Sequence, residues 1–279
     1  MKSSYATALL YILLIASFTG CTQHGKSFVP SIPGYDATLK KTIVLDKDLL
    51  EISGMYYLPD GRIASMNDED GKVFLINNTT GDFTVTKFGR KRDYEDIVAT
   101  NDYYYLLESN GNIHRVPIAT PDTEEEFEFP REKKIEFESL VYYKHLGKLV
   151  LISKEQRETK KGVLAYTFDP ATLQFADSVL FEIYRRDIHA ILKDNNAQFK
   201  PSAAAIHPIL NKLFIVASVG KAMIQCTLDG KIEKAWRLNP DQFPQPEGIT
   251  FAPNGDMFIS NEGVDGKGTI LKFPYNPGK

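Results

Sequence analysis

"PEGITFAPNGDMFISNEG", residues 246–263, decides the fold. It reads as a hairpin: two apolar runs of strand length around Asn254-Gly255, a dipeptide suited to a tight β-turn. Glu247 opens the hairpin, and Asn261-Glu262 close it. The stretch recurs. "SGMYYLPDGRIASMND" from Ser53 superposes on residues 247–262 without a gap, Pro59-Asp60-Gly61 on Pro253-Asn254-Gly255 and Gly54 on Gly248. "EDIVATNDYYYLLES" from Glu95 is the same unit one residue shorter. "ESLVYYKHLGKLVLISKE" from Glu138 and "PSAAAIHPILNKLFIVAS" from Pro201 have longer turns. The unit starts at Ser53, Glu95, Glu138, Ser202 and Glu247, at spacings of 42, 43, 64 and 45 residues.

Short strands repeating with a period in the low forties predict a β-propeller, because no such unit buries both faces alone and blades must stack in a ring. Each unit carries further strand-like runs, such as "KVFLIN", "NIHRV" and "AMIQCTL", so four strands per blade fit. The last unit ends soon after its third strand, while "ATLKKTIVLD" ahead of the first has no blade of its own. The N-terminal strand is therefore expected to complete the last blade. The fold expected is all-β, a propeller of five four-stranded blades, with room for a sixth between Glu155 and Pro201. Within that interval "DSVLFEIYRRDIHAILKDNNAQF" spaces Ile183, Ile188, Ile191 and Leu192 as a helix does, predicting a helical or loop insertion near 180–198. The acidic "TPDTEEEFEFPREKK" reads as a solvated loop between strands.

The other regions carry an address. "MKSSYATALLYILLIASFTGC" has one Lys, an apolar run from Ala6 to Phe18 and then Thr19-Gly20-Cys21. The run is short for a membrane span and reads as a signal-peptide core. "FTGC" resembles a bacterial lipobox, which makes residues 1–20 a lipoprotein signal peptide and Cys21 the lipidation site. Residues 21–36, rich in Ser, Pro and Gly, read as a tether, and 37–279 as one propeller domain. The expected location is the bacterial cell envelope, outer membrane or cell membrane, with the domain exported and held to the membrane through Cys21. The remaining cysteine, Cys226, then has no disulfide partner and is expected as a buried thiol. A net charge of −3 gives no case for nucleic acid. A monomer is expected.

In a propeller the innermost strands run along a central channel, so the residues that start them converge on one mouth. Here those are Ser53, Glu95, Glu138, Ser202 and Glu247. The ends of the second strands, Asn67, Asp68, Glu69, Glu108, Glu155, Asn261 and Glu262, are expected at the same end. Carboxylates held this close raise one another's pKa unless a proton or cation sits between them. Oxygen ligands suit Ca²⁺ or Mg²⁺ rather than zinc, and the five His share no metal-ligand spacing. The same Glu and Ser residues can instead cap strand ends or bond to neighbouring blades.

Taken in order, "LLEISGMYYLPDGRIASMNDEDGKVFLIN", "RDYEDIVATNDYYYLLESNGNIHRV", "FESLVYY" and "PEGITFAPNGDMFISNEG" resemble the SdiA-regulated family of exported β-propellers. The motifs fall at Glu51–Gly54, Asp93–Asp96, Glu138–Leu140 and Pro246–Ile249, and the resemblance implies a propeller in the cell envelope. A looser similarity to gluconolactonase/paraoxonase-type and NHL-type propellers implies a divalent cation in the channel, with Glu95, Glu138, Glu247 and Asn261 as ligands. Three functions stay open: a ligand or partner, a small molecule or a protein, bound at an acidic funnel, with or without Ca²⁺; a metal-dependent hydrolase of lactones or phosphoesters with Glu247 or Glu95 as base; and a protein-interaction scaffold.

Overall fold

The computed structural model describes residues 32–130, 135–156, 162–263 and 266–278. Cys21 and the signal-like segment lie outside them. After β1 (Lys41–Val44) the chain forms a first blade from β2 (Ile52–Tyr57), β3 (Arg62–Asn67), β4 (Lys72–Asn77) and β5 (Phe83–Lys87). The second blade holds β6 (Tyr94–Ala99), β7 (Tyr103–Glu108), β8 (Ile113–Pro117) and β9 (Glu125–Phe127). The third holds β10 (Ile135–Tyr143), β11 (Lys148–Gln156) and β12 (Gly162–Asp169), and both β13 (Gln174–Phe175) and β14 (Phe181–Tyr184) pair with β12. The fourth holds β15 (Lys200–His207), β16 (Lys212–Val219), β17 (Ala222–Cys226) and β18 (Ile232–Arg237). The fifth is β19 (Pro246–Phe251), β20 (Met257–Asn261) and β21 (Thr269–Phe273), completed by β1, which pairs antiparallel with β21.

The propeller therefore has five blades. The long interval that left room for a sixth is spent on β14 and on one helix, α1 (Arg185–Leu192), packed against β14 and β18. No helix among the described residues is long and apolar enough to cross a membrane.

The hairpin that opened the repeat is built twice by the same device. Gly61 and Gly255 take φ of +89° and +92°, a region that L side chains avoid. Asp60 Oδ1 accepts from Arg62 N at 3.0 Å and Asn254 Oδ1 from Asp256 N at 3.1 Å. The short side chain closes the turn and the glycine reverses the chain.

The apolar residues form five clusters, one at each junction between neighbouring blades. Phe74, Ile76 and Ile63 of the first blade, for example, pack with Phe258 and Ile270 of the fifth. Phe214 and Met223 of the fourth pack with Ile249 and Ile259 of the fifth. Each fully buried aliphatic or aromatic side chain contributes about 1.5–3 kcal/mol, so the ring is held by its seams. Ile32 and Tyr35, within the stretch read as tether, are buried in one of these clusters, and Tyr35 Oη donates to Gly255 O at 2.6 Å. Cys226 is a buried free thiol, its pKa pushed up to about 12 by burial and by nearby Glu233 and Asp229.

One expectation is corrected. The acidic run near residue 125 contains the outer strand of the second blade, and its glutamates are paired. Glu124 lies 2.5 Å from His114 Nδ1, Glu125 2.5 Å from Arg115, and Glu126 2.5 Å from Arg92. β8 and the loop before β6 supply the cations, which a reading of the run alone could not see.

Candidate functional site

The five innermost strands, β2, β6, β10, β15 and β19, neighbour one another in a closed circuit. Each pairs with its second strand in a register that slips near its start. The slips fall between Ile52 and Met55, Tyr94 and Asp96, Phe137 and Ser139, Pro201 and Ala203, and Pro246 and Gly248. The residues skipped are Ser53 (with Gly54), Glu95, Glu138, Ser202 and Glu247. Every repeat start is thus a β-bulge residue. A bulge leaves one residue unpaired and turns its side chain away from the regular alternation, which is why bulges recur beside functional sites.

The bulges also bring blades close. A methyl group on Gly54 would lie 2.5 Å from Asp96 Cα in the next blade, and one on Gly248 would lie 2.9 Å from Ser53 O. Glycine at these two matched positions is the price of that approach. At the corresponding place in the second blade, Asp96 uses its carboxylate instead. It is fully buried, and it accepts from Ile97 N at 2.8 Å and from Leu140 N, in the third blade, at 2.7 Å. Burial holds its pKa well above the ordinary value against those two bonds.

The anchors divide into two classes. The serines are staples: Ser53 Oγ donates to Glu95 O at 2.5 Å, and Ser202 Oγ to Pro246 O at 2.6 Å, each across a blade junction. The bond to the neighbouring blade is their role here. The glutamates form a cluster. Glu138 is buried, and Glu95 and Glu247 are half-buried. Glu138 accepts from Lys154 Nζ and shares a hydrogen bond with Glu95. Burial raises the pKa of both; at Glu95 the charges of Glu138 and Asp93 add to it, whereas at Glu138 Lys154 and the hydrogen bond from Glu95 work against it. Lys154 favours charge on Glu138, so Glu95 is the protonated donor and Glu138 the acceptor, and the pair holds a proton between them. Glu247 is raised to about 7 by burial and by Glu138, against a hydrogen bond from Ser218. Burial works against the charge of Lys154, but Glu138, Glu95 and Glu247 more than offset it and raise its pKa.

A second tier surrounds the three. Glu262 accepts from Gln245 Nε2, and its pKa is raised to about 8 by burial, then by Glu247, Asp68, Glu51 and Glu138. Asp68 is raised to about 6 by burial, Glu51 and Glu69. Asp68 Oδ1 and Asn261 Oδ1 are buried acceptors with no hydrogen-bond partner among the described residues. Lys221, which Glu247 feels, donates to Pro244 O at 2.5 Å.

The structure leaves other expected members outside the cluster. Asn67 Oδ1 accepts from Asp70 N at 2.9 Å, which closes its own turn. Glu108 turns into the second blade, where Arg92 Nη1 donates to it at 3.0 Å and His114 Nε2 lies 3.2 Å away. Glu155 ends β11, but its side chain lies outside what the structure describes. Glu108, His114 and Glu126 bring ligand atoms within 4.8 Å of one another, a convergence that the spacing of the histidines did not reveal. Arg92 already lies among these three groups, bonded to both glutamates, so the cluster carries its own cation.

Lys154 and Ser218 were missed from sequence. Both sit near the end of a second strand, beside the position that Asn67 and Asn261 hold in their blades, and that register was the one available signal.

Oxygen donors, two orphaned buried acceptors and an excess of carboxyl over ammonium groups fit a hard cation such as Ca²⁺. The expected ligands Glu95, Glu138, Glu247 and Asn261, with Asp68 and Glu262 near them, are of the right type, but no three of these carboxyls bring oxygens within 4.8 Å of one another, so a bound cation would have to draw them together.

Comparison with protein-family models and with curated proteins returns no match. Solved structures do share the architecture. The chain is similar to glutaminyl cyclase of Myxococcus xanthus at 10% identity and a TM-score of 0.58, over 84% of this chain and 95% of that one. It is similar to the calcium-binding protein regucalcin of Agrobacterium tumefaciens at 12% identity and 0.53, over 85% and 96%. It is similar to a luciferin-regenerating enzyme at 11% identity and 0.52, over 84% and 95%. At such identities the likeness establishes the propeller fold and nothing finer.

Proposed function

We propose that this chain is a lipid-anchored propeller of the bacterial cell envelope that binds a cationic ligand at its acidic funnel, with Ca²⁺ as the reference cation. The reading rests on one observation: Glu95, Glu138 and Glu247, each on a bulge, gather at the Lys154 ammonium, with a hydrogen bond between Glu95 and Glu138. A site that must hold a proton and an ammonium to tolerate its own carboxylates is built for positive charge. Lys154 is about one-third exposed, 35% in the side chain, so it can leave toward solvent when another cation enters. The calcium-binding neighbour is consistent with this reading only through the fold. Membership of the SdiA-regulated family and anchoring through Cys21 belong to the same proposal and are carried by the motifs and the lipobox-like "FTGC".

The test is calorimetric titration of chelator-free protein with Ca²⁺ and Mg²⁺ in two buffers of different ionisation enthalpy. The expected result is saturable binding with release of the proton held by Glu95 and Glu138, and affinity at least about tenfold weaker in Glu138→Gln and Glu247→Gln. Absence of heat and of any melting shift with either ion overturns the cation reading.

A second reading is favoured by the neighbouring protonated and ionised carboxyls. Glu95 as acid, Glu138 or Glu247 as base and Lys154 as an electrostatic partner are the groups that hydrolysis of a lactone or phosphoester needs. Turnover in a panel of such esters, lost in Glu95→Gln, would favour it over binding alone.

A further inference from the structure

The funnel takes only the first residues of the innermost strands. Two to four residues further along, roughly 7–13 Å at the rise of a strand, the same five strands line a cavity of about 460 Å³. Its walls are Met55–Tyr57, Ile97-Val98, Leu140–Tyr142, Ala204–Ile206 and Thr250-Phe251. All five strands run in the same sense away from the carboxylates, so this is the opposite mouth of the channel. Ala204 and Ala205 fill little space on the side of the fourth blade. Pro59, Pro208 and Pro253, in the turns that follow β2, β15 and β19, form part of a stiff rim.

The chemistry of this mouth is the reverse of the funnel's. Eighteen residues line it, and Lys144 is the one with a charge. Lys144 is exposed, with no ion-pair partner among the described residues. Asp60 and Asp256, the nearest carboxylates that Tyr57 senses, are held by Arg62 at 2.6 Å and Lys272 at 3.2 Å. Three tyrosines are among the lining residues. Tyr57 Oη accepts from Asn78 at 3.2 Å, while those of Tyr56 and Tyr142 have no hydrogen-bond partner among the described residues. An apolar cavity of a few hundred Å³ with a few polar groups at its edge is the usual form of a small-molecule site.

We propose that this second mouth binds a small organic anion with an aromatic or alicyclic body. The ring would lie between the tyrosines and the aliphatic walls, and the acid group would meet the Lys144 ammonium and a free phenol. Charge makes the choice of end: an anion is repelled by the glutamate funnel and finds the only cation of the cavity at the far mouth.

The folded protein, monitored by its near-ultraviolet circular dichroism, is titrated with 1-anilinonaphthalene-8-sulfonate, itself an aromatic anion. Bound dye is then displaced with 2-naphthoate and with the neutral 2-naphthalenemethanol. The expected result is one saturable dye site and displacement by naphthoate about tenfold better than by the alcohol. Lys144→Gln, an exposed position whose exchange does not threaten the fold, should erase that preference. Ala205→Phe, which fills the cavity, should remove the site, and Glu247→Gln, in the funnel, should leave it unchanged. A folded protein without a saturable site overturns the proposal, as does a naphthoate preference that survives Lys144→Gln. A dye site that weakens in Glu247→Gln overturns it too, by assigning the dye to the funnel.

Discussion

At the scale of the residue, the funnel holds carboxyls that the fold makes harder to ionise. Glu247 lies at about 7, Glu262 at about 8 and Asp68 at about 6, all above their ordinary values because burial and neighbouring carboxylates disfavour charge. A carboxyl whose folded pKa is raised stabilises the fold fully below its unfolded pKa, and loses that contribution as pH rises through the folded value. For Glu247 and Glu262 the window runs from about pH 4.5 to between 7 and 8. Carboxyls depressed by ion pairs, such as Asp70 beside Lys72 and Glu126 beside Arg92, act the opposite way and in a separate window, below their ordinary values. The melting temperature of cation-free protein is therefore expected to fall from pH 5 to pH 8, by roughly 2–4 °C for each kcal/mol lost. Glu247→Gln should flatten that fall and saturating Ca²⁺ should abolish it. A thermal melt series at constant ionic strength checks all three, and a midpoint that rises with pH across this window contradicts the assignment.

At the scale of the element, the same bulge does different work in different blades. Where the skipped residue is Ser53 or Ser202 it ties one blade to the next, and where it is Glu95, Glu138 or Glu247 it faces the cluster. The repeat made the five positions legible as one set. It could not separate blade staples from clustered carboxyls, because that depends on whether a neighbouring carbonyl or another carboxyl lies within reach. The second blade shows the same limit. Its outer strand reads as a solvated acidic run, yet Arg92 from the loop before β6 binds Glu108 of β7 and Glu126 of β9, at 16% side-chain exposure. Replacing Arg92 with Met leaves those carboxylates and His114 without their cation, and losing charge-assisted hydrogen bonds in a partly buried network of this kind costs about 1–3 kcal/mol. Urea unfolding of Arg92→Met should show a loss in that range, while Lys91→Met, at an exposed pair with Glu69 and Asp70, should leave the unfolding midpoint nearly unchanged.

At the scale of the whole molecule, stability resides in five seams, and the two that flank the fifth blade are filled in part by the segment from Ile32 to Leu45. β1 completes the fifth blade, and Ile32, Tyr35, Ile43 and Leu45 are buried beside it. Four such side chains contribute on the order of 6–12 kcal/mol, comparable with the net stability of a whole domain. A chain beginning at Asp46 is therefore expected to lack a cooperative melting transition by far-ultraviolet circular dichroism, whereas one beginning at Ile32 should retain it. Sequence alone determined the all-β class, the five repeat starts, the turns at Gly61 and Gly255, an insertion near 180–198 and the N-terminal closing strand. These follow from local rules, strand periodicity, turn chemistry and repeat spacing, each of which acts over a few residues. Only the tertiary structure decided which charges meet: Lys154 with Glu138, Arg92 with Glu108 and Glu126, and Lys144 alone at the far mouth. Those pairings join residues from different strands and loops, and the distances between carboxyls of neighbouring blades, which set their protonation, exist once the ring has closed.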